Sequence, residues 1–397
     1  MDNSEQKLKE TRAIINQLKE EKKFSEAIKY IEKISKSPPA DKKLLFEKAE
    51  LLFLAGEINK SYELTFELLK KSPNDINLLK LCVQQQHLFN NHEVKIKIYQ
   101  KILKILPYDI DSFIGISSSF ISIKKFKEAI QYSKKGIEIK NNSEELYNNL
   151  ILSLILNKDF LKALDIVKNV EKFNPLSTLT ASYGVYLNEE LGIKYQFKFL
   201  SEPYNYIRQY SFSEEGNIKF MKEFYDFILS LPKIWEPKFK TTVNGSQTDN
   251  NLFFIHQDNN EIKTFMNFIM RAIDEYKQYY KNTEDLYIKE FPDQYALTGW
   301  AVNLKTSGYQ KSHNHSNSWL SGVFYLKVPS KLSKNDGNIK FSKHGYNFPK
   351  SNEVSSSKII EVNEGKLVMF PSSLYHETIP FESNEDRISI AFDVRKV

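Results

Sequence analysis

One cysteine, Cys82, is all that 397 residues contain, so no intramolecular disulfide can brace this chain. That usage fits a reducing compartment. Long apolar runs are also missing, since no stretch approaches the roughly 20 uninterrupted apolar residues that a membrane-spanning helix needs. The opening Met1-Asp2-Asn3-Ser4-Glu5-Gln6 is polar and acidic, where a secretory signal would be basic and then apolar. A cytoplasmic protein with no membrane partner is expected. Nor does one sign of charge dominate: 56 Lys and Arg stand against 50 Asp and Glu, for a net charge of +6. The two signs interleave, which describes solvated helix faces and argues against a nucleic-acid partner. What the chain does have is length, enough for two or three domains that each bury a core.

The first half has a period. Pro39, Pro73, Pro107 and Pro175 fall on one 34-residue lattice, with Asn141 at the vacant point. Phe24, Phe126 and Phe160 lie on a second such lattice, and Ala27, Ala129 and Ala163 on a third. A small residue lets paired helices approach, an aromatic three before it fills the gap to the next pair, and a proline ends a helix. These are the period and the roles of tetratricopeptide repeats. Ser61, His92 and Lys95 depart from the pattern, so the second and third repeats are degenerate. About five helix pairs are expected between residues 5 and 176, stacked as an α-solenoid whose concave face suits a peptide or protein partner. A role in dimerisation or rigidity alone is the other reading. His87 and His92 sit within helical periodicity and read as surface or packing residues.

After Pro175 the period fails, and Leu176 to Tyr204 reads as a last amphipathic segment followed by a Pro-containing connector, with the domain boundary at 177–205. Two amphipathic helices follow, one with its stripe at Phe220, Phe224, Phe227, Ile228 and Leu231. The other carries Ile262, Phe265, Phe268, Ile269, Ile273 and Tyr276. Both are expected to cover the back of a sheet. Between them Val243-Asn244-Gly245-Ser246 carries a hairpin-turn signal. His256, with Asp258 beside it, reads as a loop residue. From residue 294 the period becomes two, and segments 295–304, 309–315, 319–328, 338–342, 357–362, 366–370 and 386–394 suit a double-sheet jelly roll. In the turn Asn363-Glu364-Gly365 the glycine can supply a positive φ. The fold class is thus α + β multidomain: repeats over 1–176, then a second domain over 206–397 with its jelly-roll core from about 294.

Within that core, Ser312-His313-Asn314-His315-Ser316 places two histidines two residues apart. On an extended strand they project to one side and can hold one metal ion. A third, His376, follows after a run of strands. In the last strand Arg387, Ser389, Ala391 and Asp393 alternate with Ile388, Ile390, Phe392 and Val394, so a guanidinium and a hydroxyl share the face opposite an apolar one. His344 lies in a loop-like segment and reads as no ligand.

This set resembles the 2-oxoglutarate/iron(II)-dependent oxygenase superfamily, and more closely its members fused behind tetratricopeptide repeats. The likeness is carried by Gly299-Trp300-Ala301, Gly308-Tyr309-Gln310, the run from Trp319 to Tyr325, Phe370-Pro371-Ser372 and the run from Arg387 to Asp393. It spans roughly residues 200–397 and is strongest from 295. The resemblance implies iron(II) at His313, His315 and His376, with 2-oxoglutarate and O2 as co-substrates. It implies that Arg387 and Ser389 grip the outer carboxylate of 2-oxoglutarate and that Asn303 lies against it. The implied reaction is hydroxylation of a peptide, protein or small molecule, and the rival is a scaffold whose jelly roll has lost turnover. His315 stands where the superfamily usually has Asp, which leaves the metal one negative charge short. Three readings stay open: a three-histidine iron site, a two-histidine site with His315 behind the metal, or a site without catalysis. Trp319 and Tyr325 are candidates for the pocket wall, with the core reading favoured for Tyr325.

Overall fold

The computed structural model describes residues 3–34, 42–212, 217–249, 251–330, 333–345, 347–350 and 356–397. Pro39 of the proline lattice lies outside them. The chain forms two compact units, Met1–Ser153 and Leu154–Val397.

The first unit is helical: α1 (Asn3–Glu20), α2 (Phe24–Ile34), α3 (Lys42–Leu54), α4 (Ile58–Lys71), α5 (Ile76–Leu88), α6 (His92–Ile105), α7 (Ile110–Ser122), α8 (Phe126–Ile139) and most of α9 (Glu144–Leu156). The second unit opens with α10 (Phe160–Phe173) and α11 (Thr178–Leu191). Starts of the even-numbered helices from α2 to α10 are 34 residues apart, and so are those of the odd-numbered helices from α3 to α11. The cause is local. Asp75, Asp109 and Ser177 each cap the helix that follows by accepting from its free N–H groups. Within each pair, Lys22, Gly56, Asn90, Lys124 and Lys158 turn the chain with positive φ on the same lattice. Ala27, Ser61, Ala129 and Ala163 are wholly buried where helices meet, and Lys95 occupies the equivalent point with 6% exposure. These are tetratricopeptide-like repeats. Their period does not fail at Pro175, as the sequence reading had it: Ser177 caps one further helix, α11, on the repeat lattice, where a last amphipathic segment ahead of the connector was expected. Leu154 onward, and α10 and α11 with it, fall in the second compact unit.

The rest of the second unit is β1 (Arg208–Ser211), α12 (Asn217–Ser230), β2 (Ile234–Trp235), β3 (Thr242–Gln247), α13 (Leu252–Ile255), α14 (Asn260–Tyr280), α15 (Leu286–Lys289), β4 (Tyr295–Gln310), β5 (Leu320–Lys327), β6 (Ile339–Ser342), β7 (Ser357–Ile360), β8 (Lys366–Pro371), β9 (Tyr375–Thr378) and β10 (Arg387–Lys396). Seven strands form one antiparallel sheet in the order β1-β8-β5-β10-β4-β3-β2, and three form a second, β7-β6-β9. This is the expected double-sheet jelly roll. Its helices cover the back of the large sheet, where Phe224, Ile228, Phe265, Ile269 and Tyr276 pack on Phe324, Ile388, Ile390, Phe392 and Val394. Gly365 has φ 75° in its turn.

Local details differ from the sequence reading. Segments 295–304 and 309–315 are one strand, β4, which ends at Gln310 and leaves His313 in a single bridge to His376. Val243-Asn244-Gly245-Ser246 is a bulge inside β3, where Asn244 takes φ 47° and the pairing with β4 slips. Gly245 serves that bulge: a Cβ there would lie 2.7 Å from the Asn303 carbonyl oxygen.

Candidate metal and co-substrate site

His313 and His376 exchange both backbone hydrogen bonds, N to O at 3.0 and 2.9 Å, so two segments 63 residues apart are pinned face to face. His315 is fixed separately, its N–H donating to the Ser372 carbonyl at 2.8 Å. The result is three rings with centroids 4.3, 5.0 and 5.1 Å apart, and one ligand atom from each lies within 4.8 Å of the other two. Each Nδ1 is already committed: in His313 to the Lys311 carbonyl at 2.6 Å, in His376 to the Leu374 carbonyl at 3.1 Å, in His315 to Asp393 Oδ1 at 2.6 Å. Carbonyl and carboxylate oxygens only accept, so every Nδ1 carries a proton, and in a neutral ring that leaves the lone pair on Nε2. That is the tautomer a metal needs.

The electrostatics agree. Burial, and after it the neighbouring His315, pushes His313 down to about 3, although the residue as a whole is only half-buried. Burial and the two other imidazoles hold His376 well below the ordinary histidine value. Both rings are neutral at neutral pH and offer lone pairs without competition from protons. Burial pushes the Asp393 carboxyl up, but His315 and Ser321 outweigh it and leave the group below its usual value, hence ionised.

The cavity beside the rings is lined by Trp300, Val302, Tyr325, Phe370, Arg387 and Ser389, among others. Arg387 is 2% exposed and Ser389 4%. The Arg387 Nε donates to the Gly337 carbonyl at 2.8 Å and the guanidinium lies 4.9 Å from the Tyr325 ring centre. Burial lowers its pKa, yet a guanidinium stays charged throughout the physiological range. Among the described residues no carboxylate pairs with it. A wholly buried cation without a counter-charge is costly, and a planar fork of this kind suits a carboxylate ligand.

Asn303 does not join them. It stands opposite Ile388 in the β4–β10 register, on the helix-covered face, and its amide donates to Asp386 Oδ2 at 3.1 Å. Its neighbour Val302, opposite Ser389, faces the cavity instead. Tyr325 is both buried core and cavity wall. Trp319 is core, its indole donating to the Tyr287 carbonyl at 3.0 Å. His344 lies apart, against Tyr186 at 5.1 Å between ring centres. The residues that sequence reasoning left without a role are Asp393, Ser321 and Ser372, although the alternation along β10 puts Asp393 on the face of Arg387.

Residues 298–393 match the family described as "Putative 2OG-Fe(II) oxygenase". The jelly-roll core is an oxygenase-family domain. No curated protein matches the chain. Among solved structures, MamA residues 41 to the end from Desulfovibrio magneticus RS-1 is similar at 13% identity, covering 41% of this chain and 93% of that one, with a TM-score of 0.38. A tetratricopeptide repeat protein from Parabacteroides merdae ATCC 43184 is similar at 13% identity, covering 47% and 74%, with a TM-score of 0.42. The repeat assignment rests on the 34-residue spacing of the helices themselves. No helix among the described residues is long and apolar enough to cross a membrane.

Proposed function

We propose that the second unit is a 2-oxoglutarate- and iron(II)-dependent dioxygenase acting as a hydroxylase, and that the helical repeats hold a peptide or protein, as substrate or as partner. His313, His315 and His376 would hold the metal through Nε2, and the donor set fits: three imidazoles that each engage a fixed acceptor through Nδ1 and converge from two segments. Bound iron(II) with 2-oxoglutarate supplies the oxidising chemistry, spending O2 and releasing CO2 and succinate while a substrate C–H bond becomes C–OH.

The chain's own residues do the rest. Arg387, with the Ser389 hydroxyl, takes the outer carboxylate of 2-oxoglutarate and so orients its keto acid end toward the histidines. Tyr325, Phe370, Val302 and Ile339 wall the cavity with apolar surface that keeps water from the reacting end. The observation that carries the reading is the buried, uncompensated Arg387 in the same cavity as the three imidazoles. Anaerobic titration of the full chain with iron(II) and 2-oxoglutarate tests it. A weak visible charge-transfer band, then succinate on admission of oxygen, is the expected result. Folded protein giving neither would leave a binding or scaffold role for the jelly roll.

A further inference from the structure

The three imidazoles are not held alike. The Nδ1 protons of His313 and His376 go to backbone carbonyls, whereas that of His315 goes to a carboxylate, Asp393 Oδ1, at 2.6 Å. That carboxylate is 2% exposed and tightly directed. Ser321 stands opposite Asp393 in the β5–β10 register and its hydroxyl donates to the same Oδ1 at 2.6 Å. Its single proton being so used, Ser321 accepts from the Ser372 hydroxyl at 2.8 Å. Ser372 in turn gives its carbonyl to the His315 N–H at 2.8 Å, which closes a ring of contacts around the histidine. The half-exposed Arg395 lies farther off, 3.6 Å from Oδ2. A carboxylate so buried is costly unless a nearby positive centre balances it.

Sites with two histidines and one carboxylate give iron(II) a negative charge directly. Resting on the metal site proposed above, we infer that Asp393 is a positioning residue that supplies this charge through His315, making that imidazole the electronic counterpart of a carboxylate ligand. Hydrogen bonding of a ligating imidazole to a carboxylate fixes its tautomer and raises its basicity. His315 then serves as the most strongly donating of the three ligands, and the missing carboxylate of the coordination shell is found one bond farther out.

Cobalt(II) titration of the full chain, followed by its visible bands, tests this without recourse to turnover. Asp393→Asn is expected to weaken cobalt(II) binding by about 10- to 100-fold and to shift the bands, with Asp393→Glu recovering part of the loss. The sign of the effect should reverse when His315 is itself replaced. His315→Asp brings two carboxylates together, so adding Asp393→Asn in that background should raise affinity, whereas a merely structural Asp393 would lower it in both. Asp393→Asn binding within twofold of the wild type, or the same loss in both backgrounds, overturns the inference. If Asp393→Asn does not fold, the pair His315→Asp and His315→Asp with Asp393→Asn decides alone. Failure of the underlying site looks different: cobalt(II) binding untouched by His313→Ala and His376→Ala would remove the metal site and this inference with it.

Discussion

The guanidinium of Arg387 lies 4.9 Å from the centre of the Tyr325 ring, in a cavity wall where no carboxylate among the described residues answers its charge. Its one hydrogen bond to the backbone, through Nε, fixes its direction and leaves the outer nitrogens for a ligand. Hydrogen bonds to charged groups are worth about 1.5–3 kcal/mol each, so Arg387→Ala should weaken 2-oxoglutarate binding by on the order of 100-fold. Arg387→Lys should recover part of it, as a point charge without the fork. Calorimetric titration of 2-oxoglutarate into the cobalt(II)-loaded protein measures both, and cobalt(II) affinity itself should stay within a few-fold of the wild type. Equal loss of metal and co-substrate would contradict the role given to Arg387.

Asn303 provides the opposite expectation. Its side chain sits on the helix-covered face and bonds Asp386, which also receives the Lys305 ammonium at 2.6 Å. Asn303→Ala should therefore leave 2-oxoglutarate affinity unchanged within about twofold and cost roughly 1 kcal/mol of stability, the usual net worth of one such bond. Thermal melts and the same calorimetric titration separate the two effects. A steep loss of co-substrate affinity would mean that the face assignment is wrong.

What could be read in advance, and what could not, divides along local and non-local lines. The alternation in β10 is local, and it placed Arg387 and Ser389 on the cavity face while Ile388, Ile390 and Phe392 went to the helix-packed core. The same parity applied to β4 would have excluded Asn303, since Val302 and Asn303 cannot both face the cavity. The resemblance that set Asn303 against the co-substrate takes no account of that rule. Likewise Ser177 stands two 34-residue periods beyond the cap Asp109, so α11 was legible as a continuation of the repeats had the lattice of caps been followed with that of prolines. By contrast, β9 is four residues long and mostly polar, and it is a strand only because β6 pairs with it. The contact between His315 and Asp393 spans 78 residues, beyond what any local period reports.

Close approach of β5 and β10 makes a third prediction. Gly322 is opposite Phe392 in the register, and a Cβ at Gly322 would lie 2.3 Å from the end of that ring, which the helix-packed core holds in place. Overpacking of this kind costs about 1–3 kcal/mol. Gly322→Ala should lower the melting temperature by several degrees, at about 2–4 °C per kcal/mol for a unit of this size. It should leave the hydrogen bond between Asp393 and His315 in place, so cobalt(II) affinity of the folded fraction should persist. No change in melting temperature would show that the two strands can part at this point.

Lys95 occupies the lattice point where the other repeats have Ala27, Ser61, Ala129 and Ala163, and it is buried there. Its ammonium lies 3.4 Å from His87 Nδ1, and among the described residues no carboxylate pairs with it. Burial lowers its pKa. The unfolded chain thus binds this proton more tightly than the folded one between the depressed value and the ordinary 10.5, so the group works against folding at neutral pH. That penalty fades as the pH rises toward 10.5, where both states lose the proton. Lys95→Met keeps the stem and removes the charge, and it should raise stability at pH 7 by on the order of 1 kcal/mol, as replacement of buried charges by apolar side chains often does. The gain over the wild type should shrink as the pH is raised from 7 toward 10.5. Denaturant titrations of both proteins at those pH values supply the comparison, and a gain that grows with pH would place the ammonium in a stabilising contact instead.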